Sequence, residues 1–156
     1  MAIADVMVIM NRGRIEDMGP PTRLYERPRT RFAAQFLGES AIIEGSVAGA
    51  EAGWLQIDTP CGLLTVRGSR LPGDAVALAV RPEALRVGAA TPGEQSLGQL
   101  RVEHSVYQGS FLRVAGRTTT GVRLLAKLPP QALPAGADID GIAVSVRADG
   151  LVLLED

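Results

Sequence analysis

The chain has 156 residues, of which 46% are hydrophobic and 21% charged, and its formal net charge is −1. Enough apolar surface is available to offset the entropy lost on ordering the chain, so an intrinsically disordered protein is excluded. A dedicated nucleic-acid-binding domain is usually strongly basic, and the charge balance therefore argues against that class.

The first predicted element is a β-hairpin. Residues 5–10 are an aspartate followed by five apolar residues, and such a run without polar alternation is typical of a strand buried on both faces. Turn formers occupy 11–13, and residues 14–19 alternate weakly between apolar and polar side chains. This order predicts two antiparallel strands joined by a short turn.

Two short helices are predicted next. Pro21 suits the first turn of a helix that has to end before Pro28, whereas Pro20 in front of it offers no side-chain cap. Thr30 can cap a second helix, and Gly38 is placed to end it.

From residue 39 onward, short alternating runs separated by Gly, Pro and Asp predict antiparallel strands. An open sheet of so many strands would leave long unpaired edges, so we predict a mainly β fold of one or more small antiparallel barrels. The segment 88–98 is a predicted loop and a candidate division between two barrel-like lobes. The strands are expected at 42–47, 54–57, 63–66, 75–80, 100–103, 111–114, 122–126, 143–146 and 151–154.

The sequence predicts no catalytic, cofactor or metal site. His104 is the only histidine, which excludes a multi-histidine metal site within this chain. Cys61 lies in a predicted turn without a neighbour that would stabilise a thiolate, and as the only cysteine it cannot form an internal disulfide. Five carboxylates lack the spacing of a calcium loop and are expected to form a solvated rim: Asp138, Asp140, Asp149, Glu155 and Asp156.

Several segments together carry a family resemblance. Residues 5–15 (DVMVIMNRGRI), 25–28 (YERP) and 30–38 (TRFAAQFLG) resemble the end of the nucleotide-binding domain in ABC importer ATPases of the polyamine, iron and sugar types. Residues 78–86 (LAVRPEALR) and 107–109 (YQG) resemble segments of the transport-associated barrel of the oligonucleotide-binding (OB) type, called TOBE. The order of these matches is more specific than any one of them.

The resemblance implies a division of the chain and a role for each part. Residues 1–38 would be the C-terminal remnant of a nucleotide-binding domain, and 39–156 an OB-like TOBE barrel with an accessory, regulatory and dimerisation role. The parent would be a cytoplasmic transport ATPase at the inner face of the plasma membrane, working with membrane subunits. We expect a homodimer without nucleic-acid binding or direct membrane insertion.

The residues themselves argue against ATP hydrolysis by this chain. ATPase chemistry needs a glycine-rich phosphate loop with its lysine, a magnesium ligand and a positioned water. The sequence contains no Gly-x-x-x-x-Gly-Lys-Ser/Thr motif, no Leu-Ser-Gly-Gly-type signature and no switch histidine. ATP and Mg²⁺ would therefore bind in the part of the parent protein that precedes residue 1. The apolar strand at 6–10 is expected to pack against a second copy of the chain or to be partly disordered.

Two sets of residues are candidates for binding surfaces. Within the segment that resembles TOBE, Arg81 and Glu83 could form an ion pair or a partner contact. A tryptophan is more often a core residue than an interface anchor, so a core position is favoured for Trp54. Tryptophan and tyrosine are nevertheless both enriched in interface hot spots, and we retain Trp54 and Tyr107 as interface or regulatory candidates.

As an alternative function, the barrel would sense a small ligand or oxyanion, as related barrels in molybdate importers do. The anion contacts would then be Arg101, Arg113, Arg123 and Lys127.

Overall fold

The computed structural model describes residues 4–133 and 140–156. Within these ranges the chain is mainly β, with a hairpin and two short helices before the larger β part, as predicted. The hairpin is β1 (Met7–Asn11) and β2 (Arg14–Gly19), and the helices are α1 (Pro21–Glu26) and α2 (Arg31–Gly38). The remaining strands are β3 (Ala41–Glu51), β4 (Trp54–Thr59), β5 (Gly62–Arg67), β6 (Ala75–Val80), β7 (Leu85–Val87), β8 (Glu94–Tyr107), β9 (Leu112–Thr118), β10 (Arg123–Leu128), β11 (Ile142–Arg147) and β12 (Leu151–Leu153).

The hairpin and the two helices pack together, and we call residues 5–38 the N-terminal unit. Ile9, Leu24 and Ala33 form its buried centre, with Phe32 and Leu37 packed against them. The apolar periodicity of α2 supplies one side of this contact, and the inward face of β1 supplies the other.

The ends of α2 follow the predicted capping in part. The Thr30 hydroxyl accepts a hydrogen bond from the Ala33 N–H at 3.2 Å, as expected of an N-cap. At the other end, Gly38 is the last helical residue, and Glu39 adopts the left-handed conformation with φ 51°. The prediction that α2 ends at Gly38 is confirmed, although the left-handed residue that follows the helix is Glu39 and not a glycine.

Two five-stranded antiparallel sheets form the rest of the molecule. Their strand orders are β12-β6-β3-β4-β5 and β10-β9-β8-β11-β7. The edge strand β12 approaches β5, and β7 approaches β10, so that each sheet curls towards a barrel. One hydrophobic core runs through both sheets, from Ile43 and Leu78 in the first to Leu97 and Leu124 in the second. The predicted small antiparallel barrels are confirmed.

The predicted loop at 88–98 is wrong in its second half. Strand β8 begins at Glu94, and Leu97 is fully buried within it. The chain also passes from one sheet to the other at the 3₁₀ turn Pro82–Ala84, before the segment where we placed a candidate division. Among the described residues, no helix has the length and apolar character needed to cross a bilayer.

Candidate functional site

The N-terminal unit meets the barrels through a buried arginine. The guanidinium of Arg81 lies over the ring of Tyr25, with its central carbon 4.1 Å from the ring centroid. The Tyr25 hydroxyl donates a hydrogen bond to Glu83 Oε1 at 2.6 Å. We call Tyr25, Arg81 and Glu83 the latch, since α1 contributes the first residue and the turn after β6 contributes the other two.

Gly38 makes the latch possible. A side chain at this position would overlap Nη1 of Arg81, and a Cβ atom here would also lie 3.4 Å from the Tyr25 ring. The guanidinium therefore approaches the C-terminal end of α2 directly. A cation at a helix C-terminus is stabilised by the helix dipole, which favours this position for Arg81.

The environment of Arg81 is unusual for an arginine. The residue is only 6% exposed, and its three side-chain nitrogens have no hydrogen-bond partner in the described part of the chain. Burial lowers the pKa of Arg81 from its usual value, while the nearby Tyr25 and Glu83 oppose that change. The charge is thus held by the face of an aromatic ring and a nearby carboxylate instead of a direct ion pair.

The C-terminal residues form a second connection to the N-terminal unit. Arg31 binds Glu44 of β3 through Nη2 at 2.8 Å, and its backbone N–H donates to Asp156 Oδ1 at 2.9 Å. The Glu155 N–H also donates to the Arg29 carbonyl at 2.7 Å. The start of α2 is therefore tied to both the first sheet and the end of the chain.

Asp17 organises the inside of the N-terminal unit. Its buried carboxylate accepts hydrogen bonds from Arg23 Nη2 at 2.6 Å, from the Arg29 N–H at 2.9 Å and from the Met18 N–H at 2.8 Å. Burial alone would raise the pKa of Asp17, but these hydrogen bonds and the Arg23 charge outweigh it and lower that pKa. One carboxylate thus joins the hairpin, α1 and the segment before α2.

The four interface or regulatory candidates from the sequence fall into two pairs. Arg81 and Glu83 lie together in the latch, so they contact the chain's own N-terminal unit. Trp54 and Tyr107 are 41% and 65% exposed. The prediction that Trp54 is a core residue is wrong. Trp54 is the first residue of β4, and its side chain lies on the surface under the guanidinium of Arg67, whose central carbon is 5.0 Å from the centroid of the indole ring.

All four anion candidates lie on the outer face of β8–β10, which we call the cationic face. Arg101 pairs with Arg117 across β8 and β9, and Arg117 pairs with Arg123 across β9 and β10. Arg113 and Lys127 form a second pair further along β9 and β10. Directly paired residues of an antiparallel sheet point to the same side, so these five cations form two rows.

Sequence reasoning missed Arg117, the central residue of the first row. Its position could be found only from the pairing register, which brings Arg117 between two arginines distant in the chain. Three carboxylates lie beside the rows: Asp140 binds Arg101 at 2.9 Å, Glu103 binds Arg117 at 3.1 Å and Glu39 binds Arg113 at 2.8 Å.

The interior of the second barrel is filled by side chains. The cavity enclosed by strands β7 to β11 measures only about 10 Å³ and is lined mainly by apolar residues such as Leu100, Val114 and Val144. That volume is no larger than the minimum that holds a single water molecule, about 10–15 Å³. A ligand larger than a water molecule would therefore not fit in this cavity.

The remaining polar candidates are dispersed over the molecule. His104 is exposed on β8, and partial burial raises the pKa of the Cys61 thiol, which disfavours a reactive thiolate at neutral pH. Asp138 lies outside the described residues. Asp140, Asp149, Glu155 and Asp156 each contact a different arginine, and no three potential metal ligands group together within 4–133 and 140–156.

Comparison with known proteins identifies the second half of the chain. Residues 78–154 match the family model of the TOBE domain. The chain contains a TOBE domain. This match covers the latch residues Arg81 and Glu83 as well as the whole cationic face of β8–β10, and it confirms the resemblance inferred from residues 78–86 and 107–109.

The relatives of this TOBE-containing chain are ATP-binding proteins of ABC importers. It is 38% identical over 81% of its length to the spermidine/putrescine import ATP-binding protein PotA of Rubrobacter xylanophilus. It is also 33% identical over 92% of its length to the Fe(3+) ions import ATP-binding protein FbpC of Rhizobium etli. The chain spans only 34% and 42% of these two relatives, in their C-terminal region. Within this chain, residues 78–154 are the part that the TOBE family model covers.

A solved structure shares the fold. A crystal structure of ModG, described as a cytoplasmic molybdate-binding protein, superimposes with a TM-score of 0.59 at 13% identity. The similarity covers 74% of this chain and 95% of that one, and it supports the OB-like barrel fold alone.

Proposed function

We propose that this chain is the accessory, regulatory and dimerisation region of an ABC importer ATP-binding protein. Residues 1–38 form the end of the nucleotide-binding domain, and residues 39–156 form the TOBE-type β-barrel domain. The observation that carries the proposal is the latch, because it joins an importer-like N-terminal unit to the TOBE domain through the buried Arg81. The chain itself holds no ATP or Mg²⁺ and does not hydrolyse ATP.

The proposed mechanism is mechanical and depends on surfaces. A contact between two TOBE domains would keep two ATPase subunits at high effective concentration while their nucleotide-binding domains open and close. A ligand or protein that changes the position of the barrels would affect the nucleotide-binding domain through the latch. In the cell the parent would lie in the cytoplasm at the inner face of the plasma membrane, bound to the importer's membrane subunits, without inserting into lipid or binding nucleic acid.

The exposed side of the hairpin supports the assignment of residues 1–38. Val6, Val8 and Met10 alternate with buried Ile9, and they share one face with Met18 and Ile15 of the neighbouring strand. These five apolar side chains are 45–61% exposed. A contiguous bare apolar face on a two-stranded sheet is expected where a larger domain normally covers it.

Sedimentation of the purified chain tests the dimerisation role. We expect a dimer without any added ligand, and no release of phosphate from ATP with Mg²⁺ present. Substitution of Tyr107 by serine tests one exposed candidate for the contact, with Leu71→Ser as a control that removes another exposed apolar side chain. A chain that stays monomeric at high concentration, or one that turns over ATP, would contradict the proposal.

A second candidate function is the sensing of a small oxyanion, and one observation favours it. Arg101, Arg113, Arg123 and Lys127 share the cationic face, where positive charge is concentrated. On this alternative the chain would dimerise only with an added oxyanion such as molybdate or sulfate. The same sedimentation experiment, repeated with these anions, separates the two functions.

A further inference from the structure

Positive charge is concentrated on one face of the barrel domain. Residues 39–156 contain ten lysines and arginines and thirteen acidic residues, a net charge of 10 − 13 = −3. Five of those ten cations nevertheless lie on the cationic face: Arg101, Arg113, Arg117, Arg123 and Lys127. Segregation of this kind within an otherwise acidic region indicates a surface for an anionic partner.

The strand register places like charges directly beside one another. Like charges directly opposite each other in a sheet are destabilising, and Arg117 has an arginine opposite it on both sides. Neighbouring strands are about 4.8 Å apart, so this row of three extends across roughly 10 Å. Asp140 and Glu103 already neutralise part of this row, and a further carboxylate from a partner would relieve more of the repulsion.

The arginines of this face already bind carboxylates of the same chain. Arg101, Arg117 and Arg113 each bind a carboxylate of this chain at 2.8–3.1 Å. These ion pairs lie on the surface, where each is worth only about 0–1 kcal/mol and can be exchanged for a better-placed anion. The planar guanidinium donates along two edges, and one carboxylate contact leaves other N–H groups available.

The shape of the face favours an extended segment over a small ion. Arg113 and Arg117 are four residues apart on β9, which separates the two rows by about 13 Å. Between the rows, Leu125 is partly exposed and its cross-strand neighbour Ala115 is only 8% exposed, so the surface there is low and apolar. The first row borders an open groove of about 1070 Å³ that Gln99, His104 and Thr119 also line, and a single oxyanion would occupy only a small part of it.

We propose that the cationic face binds an acidic segment of another polypeptide in extended conformation. Two carboxylates four residues apart in such a segment are separated by about 13–14 Å, the distance between the rows. The first would bind the arginine row and the second would bind Arg113 and Lys127, while an intervening small side chain covers Ala115 and Leu125. This interaction is separate from dimerisation and does not depend on it.

Fluorescence anisotropy tests the proposal on the full chain, with a labelled peptide in which glutamate recurs at every fourth residue and serine fills the positions between. Arg117→Gln combined with Arg123→Gln is expected to weaken binding about tenfold, since two charge-assisted contacts are lost. Arg67→Gln combined with Arg147→Gln removes the same charge from exposed positions outside the face, and should leave the affinity within about twofold. Unchanged thermal unfolding shows that both variants are folded, and Arg123→Gln alone replaces the first variant if it is not.

Three results would overturn the proposal. Absence of peptide binding at low salt would do so, as would equal losses in the face variant and the control variant. The third result is binding of pyrophosphate, molybdate or vesicles containing phosphatidylserine to the cationic face without binding of the peptide. The ligand would then be an oxyanion or a lipid surface.

Discussion

Substitution of Asp17 by alanine is expected to lower the free energy of unfolding by about 3 kcal/mol. The carboxylate is fully buried and accepts hydrogen bonds from Arg23 and from the N–H groups of Met18 and Arg29. Its removal leaves the Met18 and Arg29 N–H groups without this acceptor, and it leaves the partly buried Arg23 guanidinium without its carboxylate. Because the contacts join the hairpin, α1 and the segment before α2, the N-terminal unit should unfold first.

Urea unfolding followed by circular dichroism measures this loss, and hydrogen exchange of residues 7–38 locates it. Asp149→Ala is the matched control, since Asp149 is an exposed aspartate paired with Arg147. Exposed ion pairs contribute about 0–1 kcal/mol, so the control should change little. Equal stability of the two variants would show that Asp17 does not organise the N-terminal unit.

The same carboxylate predicts a pH dependence. The pKa of Asp17 is lower in the folded chain than in the unfolded one, so its stabilising effect is complete above the unfolded pKa of about 3.9. It is lost as the pH falls through the folded pKa. The difference in unfolding free energy between the native chain and Asp17→Ala should therefore be constant near neutral pH and shrink below about pH 4.

Substitution of Gly38 by alanine is expected to destabilise the chain by about 1–3 kcal/mol. Replacing a helical glycine by alanine normally stabilises a helix by up to about 1 kcal/mol, so a loss would have the opposite sign to that expected from helix propensity. The cause is the overlap of the new methyl group with Arg81, which forces the guanidinium away from Tyr25. Thermal unfolding measures the loss.

Gly49→Ala provides the control for Gly38. A Cβ atom at residue 49 meets only the flexible Gln56 side chain, at 3.4 Å, and the position does not require a left-handed backbone. This variant should unfold within about 0.5 kcal/mol of the native chain. A Gly38→Ala variant as stable as the Gly49→Ala variant would mean that Arg81 moves aside without cost.

Local patterns in the sequence were enough to predict most of the elements. Alternation predicted strands such as 54–57 and 75–80, and Thr30 marked the start of α2. The failures include 85–87 and 94–98, where the short strand β7 and the first residues of β8 follow proline or glycine. Gln95 shows why, because its side-chain amide pairs with the backbone of Thr65 in the other sheet, a contact that depends on tertiary structure.

The binding surfaces could be predicted only in part, for a similar reason. Residue type indicated Arg101, Arg113, Arg123 and Lys127, but their grouping with Arg117 depends on strand register. The latch was even harder to predict from the sequence. An Arg-Pro-Glu segment gives no sign that Arg81 is buried against Tyr25, since 55 residues separate the two along the chain. The family resemblance indicated that Arg81 and Glu83 matter, and the structure shows what they contact.

The proposed function requires the N-terminal unit and the barrels to be energetically coupled through the latch. A double-mutant cycle between Tyr25→Phe and Glu83→Ala, followed by urea unfolding, tests this most directly because the two side chains share one hydrogen bond of 2.6 Å. We predict a coupling free energy of about 1 kcal/mol. Additive effects, with a coupling below about 0.3 kcal/mol, would contradict it.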